Sequence, residues 1–145
     1  MATSIYDKLR AGITTSSAEE TEAIATELAA ELPVDVTLAL HGDLGVGKTT
    51  FVRGLAHGLK ISGTVTSPTF SIYTLHQGQR TLLHLDAYRL ETAQEIEDLL
   101  LEDFLTSPYV LAVEWPEKIA DWIPSDAIHI DLSIAPDEHH TIRLR

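Results

Sequence analysis

The chain contains no cysteine, which excludes disulfide staples, thiol catalysis and a zinc site of the cysteine type. It lacks any apolar run near the roughly 18 to 20 residues that a membrane-spanning helix requires. The stretch from Met1 to Arg10 also lacks the apolar segment of a signal peptide. A cytoplasmic protein without a membrane partner is therefore expected. Positive charge is scarce as well: 10 basic residues face 22 acidic ones, for a formal net charge of −12. That balance repels phosphate backbones and excludes a protein that grips nucleic acid alone. If RNA is involved, a partner should hold it.

What is present is one domain's worth of chain. Its 145 residues, 44% of them hydrophobic, suffice to bury a single core covering roughly two thirds of the unfolded surface. No linker, repeat or low-complexity segment divides residues 1–145. Ser17 with Glu20 reads as a capping box opening a helix that carries Ile24, Leu28 and Leu32, and Pro33 ends it. Val36 to Leu40 is long enough for a buried strand and too short for a helix. A second helix runs from Lys48 to about Leu59 with Phe51, Val52, Leu55 and Leu59 on one face, and Gly58 sits where it should stop. Residues 69–75 and 80–86, joined by a turn containing Gly78, read as a β-hairpin. Thr92 with Glu95 opens a further helix whose Ile96, Leu99, Leu100 and Phe104 are expected to face inward. Tyr109 to Val113 is another buried strand, and Pro116 starts a short helix with Ile119 and Ile123 that Pro124 closes. Residues 128–132 and 141–144 look like a terminal strand pair. This alternation predicts an α/β fold: three layers, with a mainly parallel central sheet plus antiparallel strands. Ligands of such folds gather at the carboxyl ends of the strands.

Residues 42–49, Gly-Asp-Leu-Gly-Val-Gly-Lys-Thr, fit G-x-x-x-x-G-K-[ST] and lie between an expected strand and an expected helix, as a P-loop requires. This composition predicts on the order of 0.002 chance matches to that pattern. Glycines let the chain curl so that successive amides, from Asp43 through Gly45, Val46, Gly47, Lys48, Thr49 and Thr50, point at phosphate oxygens, and the helix adds its positive end. Lys48 would reach the β and γ phosphates, and the Thr49 hydroxyl would ligate Mg²⁺. The overall charge of −12 does not forbid this, because dispersed surface charges are screened beyond about 8 Å while a lysine, an ion and a helix end act locally.

Asp86 closes the run 81–85, a strand expected beside strand 36–40, and so stands where a P-loop fold places the acid that holds Mg²⁺. Glu114 ends the next strand, so both carboxylates should converge on one rim. It either completes the magnesium shell or positions the attacking water. His84 shares a strand face with Asp86, but magnesium prefers oxygen ligands, and the other histidines read as solvated. Thr66 to Thr69 form a hydroxyl-rich loop that suits a switch segment or a plain turn. Trp115 either contacts nucleotide or partner, or packs at the core edge.

Taken together, residues 41–54 (HGDLGVGKTTFVRG), 67–70 (SPTF), 84–90 (HLDAYRL) and 114–117 (EWPE) resemble the TsaE family in order and spacing, from Ser17 to Glu117. The resemblance implies a small P-loop ATPase of tRNA threonylcarbamoyladenosine biosynthesis. Such a subunit works with TsaB and TsaD, which carry out the transfer, so that tRNA is met only through the complex. It points to Thr49 and Glu114 for Mg²⁺, to Asp86 as the family's H-x-D aspartate, to Trp115 as its tryptophan, and to ATP as the nucleotide. Three positions depart from the family pattern: Val46 replaces alanine, Ala87 a larger apolar residue, and Leu100 an expected glycine. Two rival readings share the same motif. A small-molecule kinase would close an arginine-bearing lid, yet the six arginines are unclustered. A nucleotide-gated assembly switch would use the loop 66–69 without essential hydrolysis.

Overall fold

The computed structural model describes residues 4–43, 47–61 and 72–145. Its helices are α1 (Ile5–Ala11), α2 (Ala18–Ala30), α3 (Lys48–Gly58) and α4 (Ala93–Asp98), with 3₁₀ turns at Leu101–Phe104 and Pro116–Trp122. Its strands are β1 (Ile13–Thr15), β2 (Val36–His41), β3 (Tyr73–Gln77), β4 (Thr81–Asp86), β5 (Tyr109–Glu114), β6 (Ile128–Ile134) and β7 (His140–Leu144). Among the described residues the strands form one sheet in the order β1-β7-β6-β2-β5-β4-β3. The central four, β6, β2, β5 and β4, run parallel. β3 returns as a hairpin on β4, while β7 and β1 close the other edge antiparallel. The parallel centre, the hairpin and the terminal strand pair match the sequence expectation. Helix α1 and strand β1 were not expected, being too short to show a hydrophobic period.

Strand order departs from expectation at one point that bears on the site. The strand beside β2 is β5, and β4 lies one place further out. The carboxylate next to the glycine-rich segment's strand is therefore Glu114, not Asp86. Which strands become neighbours in a parallel sheet depends on long-range pairing, and the alternation of elements carries no record of that.

Two apolar layers sandwich the sheet. Leu38, Leu40, Leu82, Val110, Ala112 and Ile130 meet Leu28, Phe51, Val52 and Leu55 from α2 and α3. Leu83, Leu85, Leu111 and Val113 meet Ile96, Leu101 and Ile119 on the other side. The strand pleat produces this division, since alternate residues of β4 and β5 point to opposite faces.

Helix α2 begins as expected, with the Ser17 hydroxyl accepting from the Glu20 amide. The Glu20 carboxylate, however, reaches the backbone N–H and hydroxyl of Ser16, one residue earlier than a standard capping box. Helix α3 ends at Gly58, as the sequence led us to expect, with Leu59 as its cap. A Cβ at Gly58 would lie 2.6 Å from the Ala29 Cβ, and one at Gly54 would lie 2.4 Å from the Glu22 carbonyl oxygen. The two glycines, four apart on one face of α3, let its backbone approach α2 closely. Leu100 is also corrected: it is 63% exposed with φ 54°, and Leu101 takes the buried place. The chain turns through the left-handed region at Leu100, where a glycine was expected, and so its side chain is carried outward. Residues 116–122 form a 3₁₀ turn interrupted at Ile119, which is nevertheless buried. No helix among the described residues is long and apolar enough to cross a membrane.

Candidate functional site

The glycine-rich segment connects the end of β2 to the start of α3. Gly47 caps α3 in the left-handed conformation, φ 96° and ψ 22°, a geometry that costs L-residues about 1–2 kcal/mol and glycine little. The next residue, Lys48, opens the helix with its side chain almost wholly buried, 5% exposed. Its ammonium donates to the Gly42 carbonyl at 2.6 Å and stands 3.8 Å from the centroid of the Trp115 ring. Thr49 and Thr50 follow in the first helical turn, both half-buried, and Asp43 lies exposed before the segment. Gly45 and Val46 lie outside the described residues, as does the 66–69 loop.

The carboxyl ends of β4 and β5 supply the acids. Asp86 and Glu114 are register partners, and Glu114 is also level with Leu40 of β2. Because Leu82, Val110 and Ala112 face α2 and α3, the alternation puts His84, Asp86 and Glu114 on that same side, toward Lys48. Burial lowers the Lys48 pKa from the usual lysine value, while the charges of Glu114, Asp86, Glu117 and Asp43, in that order, pull it back up. Lys48 thus holds a partly desolvated cation in the field of four carboxylates.

β5 leaves the sheet through Trp115, in the left-handed region at φ 59° and ψ 50°. This backbone turn swings the indole across Lys48, with Tyr88 against it at a ring separation of 5.0 Å. Trp115 is therefore both a core-edge residue, packed on the second apolar layer, and part of the lysine's enclosure. The Asp86 carboxylate accepts from the Tyr88 amide at 3.0 Å.

Residues that sequence reasoning passed over also meet here. His84 is fully buried and its Nε2 lies 2.5 Å from Glu114 Oε2. The signal for it was present: His84 and Asp86 share a strand face, and Glu114 ends the neighbouring strand. Glu117, the second acid of E-W-P-E, lines an open cleft of about 740 Å³ together with Asp43, Trp115 and His41. His41 and His129 stack, with Nε2 and Nδ1 2.8 Å apart, so they are not simply solvated. A second hollow, of about 370 Å³, opens beside the amino end of α3 between Gly47, Thr50, Ser16, Ser17, Thr21 and His140. No sequence period could link residues so far apart.

Among the described residues no three His, Asp or Glu side chains are grouped to hold a metal ion by themselves. One or two hard carboxylates beside a threonine hydroxyl fit Mg²⁺, which is commonly shared between protein and phosphate and keeps waters. The donors here are of that kind.

Known proteins resemble this chain over most of its length. The family model described as "Threonylcarbamoyl adenosine biosynthesis protein TsaE" matches residues 15–142. The tRNA threonylcarbamoyladenosine biosynthesis protein TsaE of Bacillus subtilis is 41% identical over 129 residues, spanning 88% of this chain and 80% of that protein. The protein of the same name from Treponema pallidum is 34% identical over 126 residues, spanning 87% and 93% respectively. The crystal structure of Bacillus subtilis YdiB superposes with a TM-score of 0.77 at 35% identity, covering 92% of this chain and 82% of that one.

Proposed function

The chain belongs to the TsaE family of threonylcarbamoyl adenosine biosynthesis proteins, and from that premise we propose that it is a Mg²⁺-dependent P-loop ATPase. In this reading it is a cytoplasmic subunit that serves formation of threonylcarbamoyladenosine in tRNA together with TsaB and TsaD, meeting tRNA through them. The observation that carries the ATPase reading is the meeting of Lys48, at the amino end of α3, with Asp86 and Glu114 at two neighbouring strand ends.

Each group has a separate task. The amides of the 43–50 segment and the positive end of α3 receive the phosphates. Lys48, released from the Gly42 carbonyl, transfers its hydrogen bond to a phosphate oxygen, where an anionic acceptor replaces a neutral one. Thr49, Asp86 and Glu114 would hold Mg²⁺, which when bound would supply positive charge to offset the negative charge developing on the phosphates. Glu114, fixed at its strand end, is also placed to orient water. Trp115 roofs the lysine, with Tyr88 packed against the indole, and limits the access of bulk water, which strengthens the local electrostatics. The hollow beside Thr50, Ser16 and Ser17 accommodates the nucleoside end.

Titration calorimetry of the full chain with Mg-ATP, followed by phosphate release with TsaB and TsaD present, tests this reading. Lys48→Ala is expected to weaken Mg-ATP binding by about 100-fold, the loss of one strong charge-assisted contact, with the far-ultraviolet spectrum unchanged. Equal affinity and turnover in that variant would refute the mechanism.

A further inference from the structure

The buried imidazole of His84 has no part in holding the sheet together that an apolar side chain would not perform better. It is 0% exposed, and its strand neighbours Leu83 and Leu85 lie in the opposite apolar layer. Its Nε2 lies 2.5 Å from Glu114 Oε2. Nδ1 meets no hydrogen-bond partner among the described residues. Burying two polar side chains and leaving a ring nitrogen unpaired costs stability. The arrangement is nevertheless built in by register. His84 is paired with Ala112, whose small side chain leaves the ring room to lean along the sheet toward Glu114, two residues further on the same face of β5.

We propose that His84 is a positioning residue for Glu114: its Nε2–H holds carboxylate oxygen Oε2 and so aims Oε1 at the phosphate end of the site. A carboxylate only accepts hydrogen bonds, so the shared hydrogen belongs to the imidazole and the tautomer is set. Without that donor the Glu114 side chain is free to rotate about its terminal bonds, whose energy wells are broad. With it, a single orientation is presented before nucleotide arrives. Such outer contacts fix a ligand or base in place and are worth roughly 10- to 100-fold in activity or metal affinity. The inference rests on the ATPase reading of the previous subsection, because it assigns Glu114 a task in hydrolysis.

A pair of substitutions tests it. The side-chain amide of glutamine reaches about as far as Nε2 of histidine, whereas that of asparagine stops near Nδ1. His84→Gln is expected to keep most of the wild-type kcat, and His84→Asn to lose at least about ten-fold. Binding of ADP without magnesium should be the same in both, since Lys48 and the glycine-rich segment are untouched. If both variants match wild type, or if both lose kcat and ADP affinity together, the positioning role is overturned. Should neither variant fold, ¹⁵N-histidine spectra of the wild-type chain decide: a hydrogen on Nε2 of His84 supports the assignment, and one on Nδ1 alone overturns it. Failure of the ATPase reading is distinguishable, because the wild-type chain would then itself release no phosphate from Mg-ATP, whether or not it bound it.

Discussion

Gly54→Ala is a perturbation whose size is set by two numbers. A Cβ at residue 54 would fall 2.4 Å from the Glu22 carbonyl oxygen and 2.6 Å from the Ala25 Cβ. Both are well inside the roughly 3.5–4 Å at which carbon contacts are favourable. The oxygen belongs to the backbone of α2 and has no rotamer to escape into, so the helices must part by about 1 Å. A gap of about 0.5–1 Å forfeits roughly a quarter to a half of each dispersion contact across it. It also breaks the hydrogen bond from the Thr26 hydroxyl to the Gly54 carbonyl, 3.0 Å. Leu28 and Leu55, both fully buried, line this interface. Overpacking plus lost contact therefore costs about 3–4 kcal/mol, and the better helix propensity of alanine offsets about 1 kcal/mol. A net loss of about 2–3 kcal/mol lowers Tm by about 5–10 °C in a domain of this size. Differential scanning calorimetry reads it directly. The double variant Ala25→Gly with Gly54→Ala should not recover, because the Glu22 oxygen remains in the way. A Tm within about 2 °C of wild type for Gly54→Ala would refute the close approach of α2 and α3.

Other consequences are equally direct. Burial lowers the Lys48 pKa in the free protein, and bound triphosphate favours the charged amine. Mg-ATP affinity should therefore weaken as pH rises through that lowered value, below the 10.5 of an ordinary lysine, while Lys48→Arg stays flat over the same range in calorimetry. The sign for stability is opposite: the cost of burying the charged amine is full below the lowered pKa and is relieved as pH rises toward 10.5. Ser17→Ala removes the side-chain cap of α2 and should cost about 1 kcal/mol in urea unfolding. Leu100→Gly should stabilise by about 0.5–1 kcal/mol. The residue is exposed at φ 54° and ψ 43°, and relief of left-handed strain outweighs the extra freedom of the unfolded chain.

Local chemistry made most of the elements readable. Ser17 and Thr92 marked helix starts, because a hydroxyl three residues before an amide closes a short-range hydrogen bond whatever the rest of the chain does. The run of residues 36–40 was readable as buried for the same kind of reason, its length and its apolar character. Leu100 was misread because the helical period continued on paper past the point where the backbone turned left-handed. Gly58 was readable as the end of α3, but its close approach to Ala29 was not, because that contact is made with another helix.

The site divides along the same line. That Lys48 and Thr49 stand together at the amino end of α3 follows from spacing alone, since they are covalently adjacent in the first helical turn. The order of the parallel strands, which put β5 rather than β4 beside β2, belongs to tertiary structure. So do the burial of Lys48 beneath Trp115 and the hold of His84 on Glu114. Sequence determines what each segment can form because those interactions span a few residues. Which segments become neighbours is decided by how whole faces of helix and sheet close over one another, and no local pattern contains that.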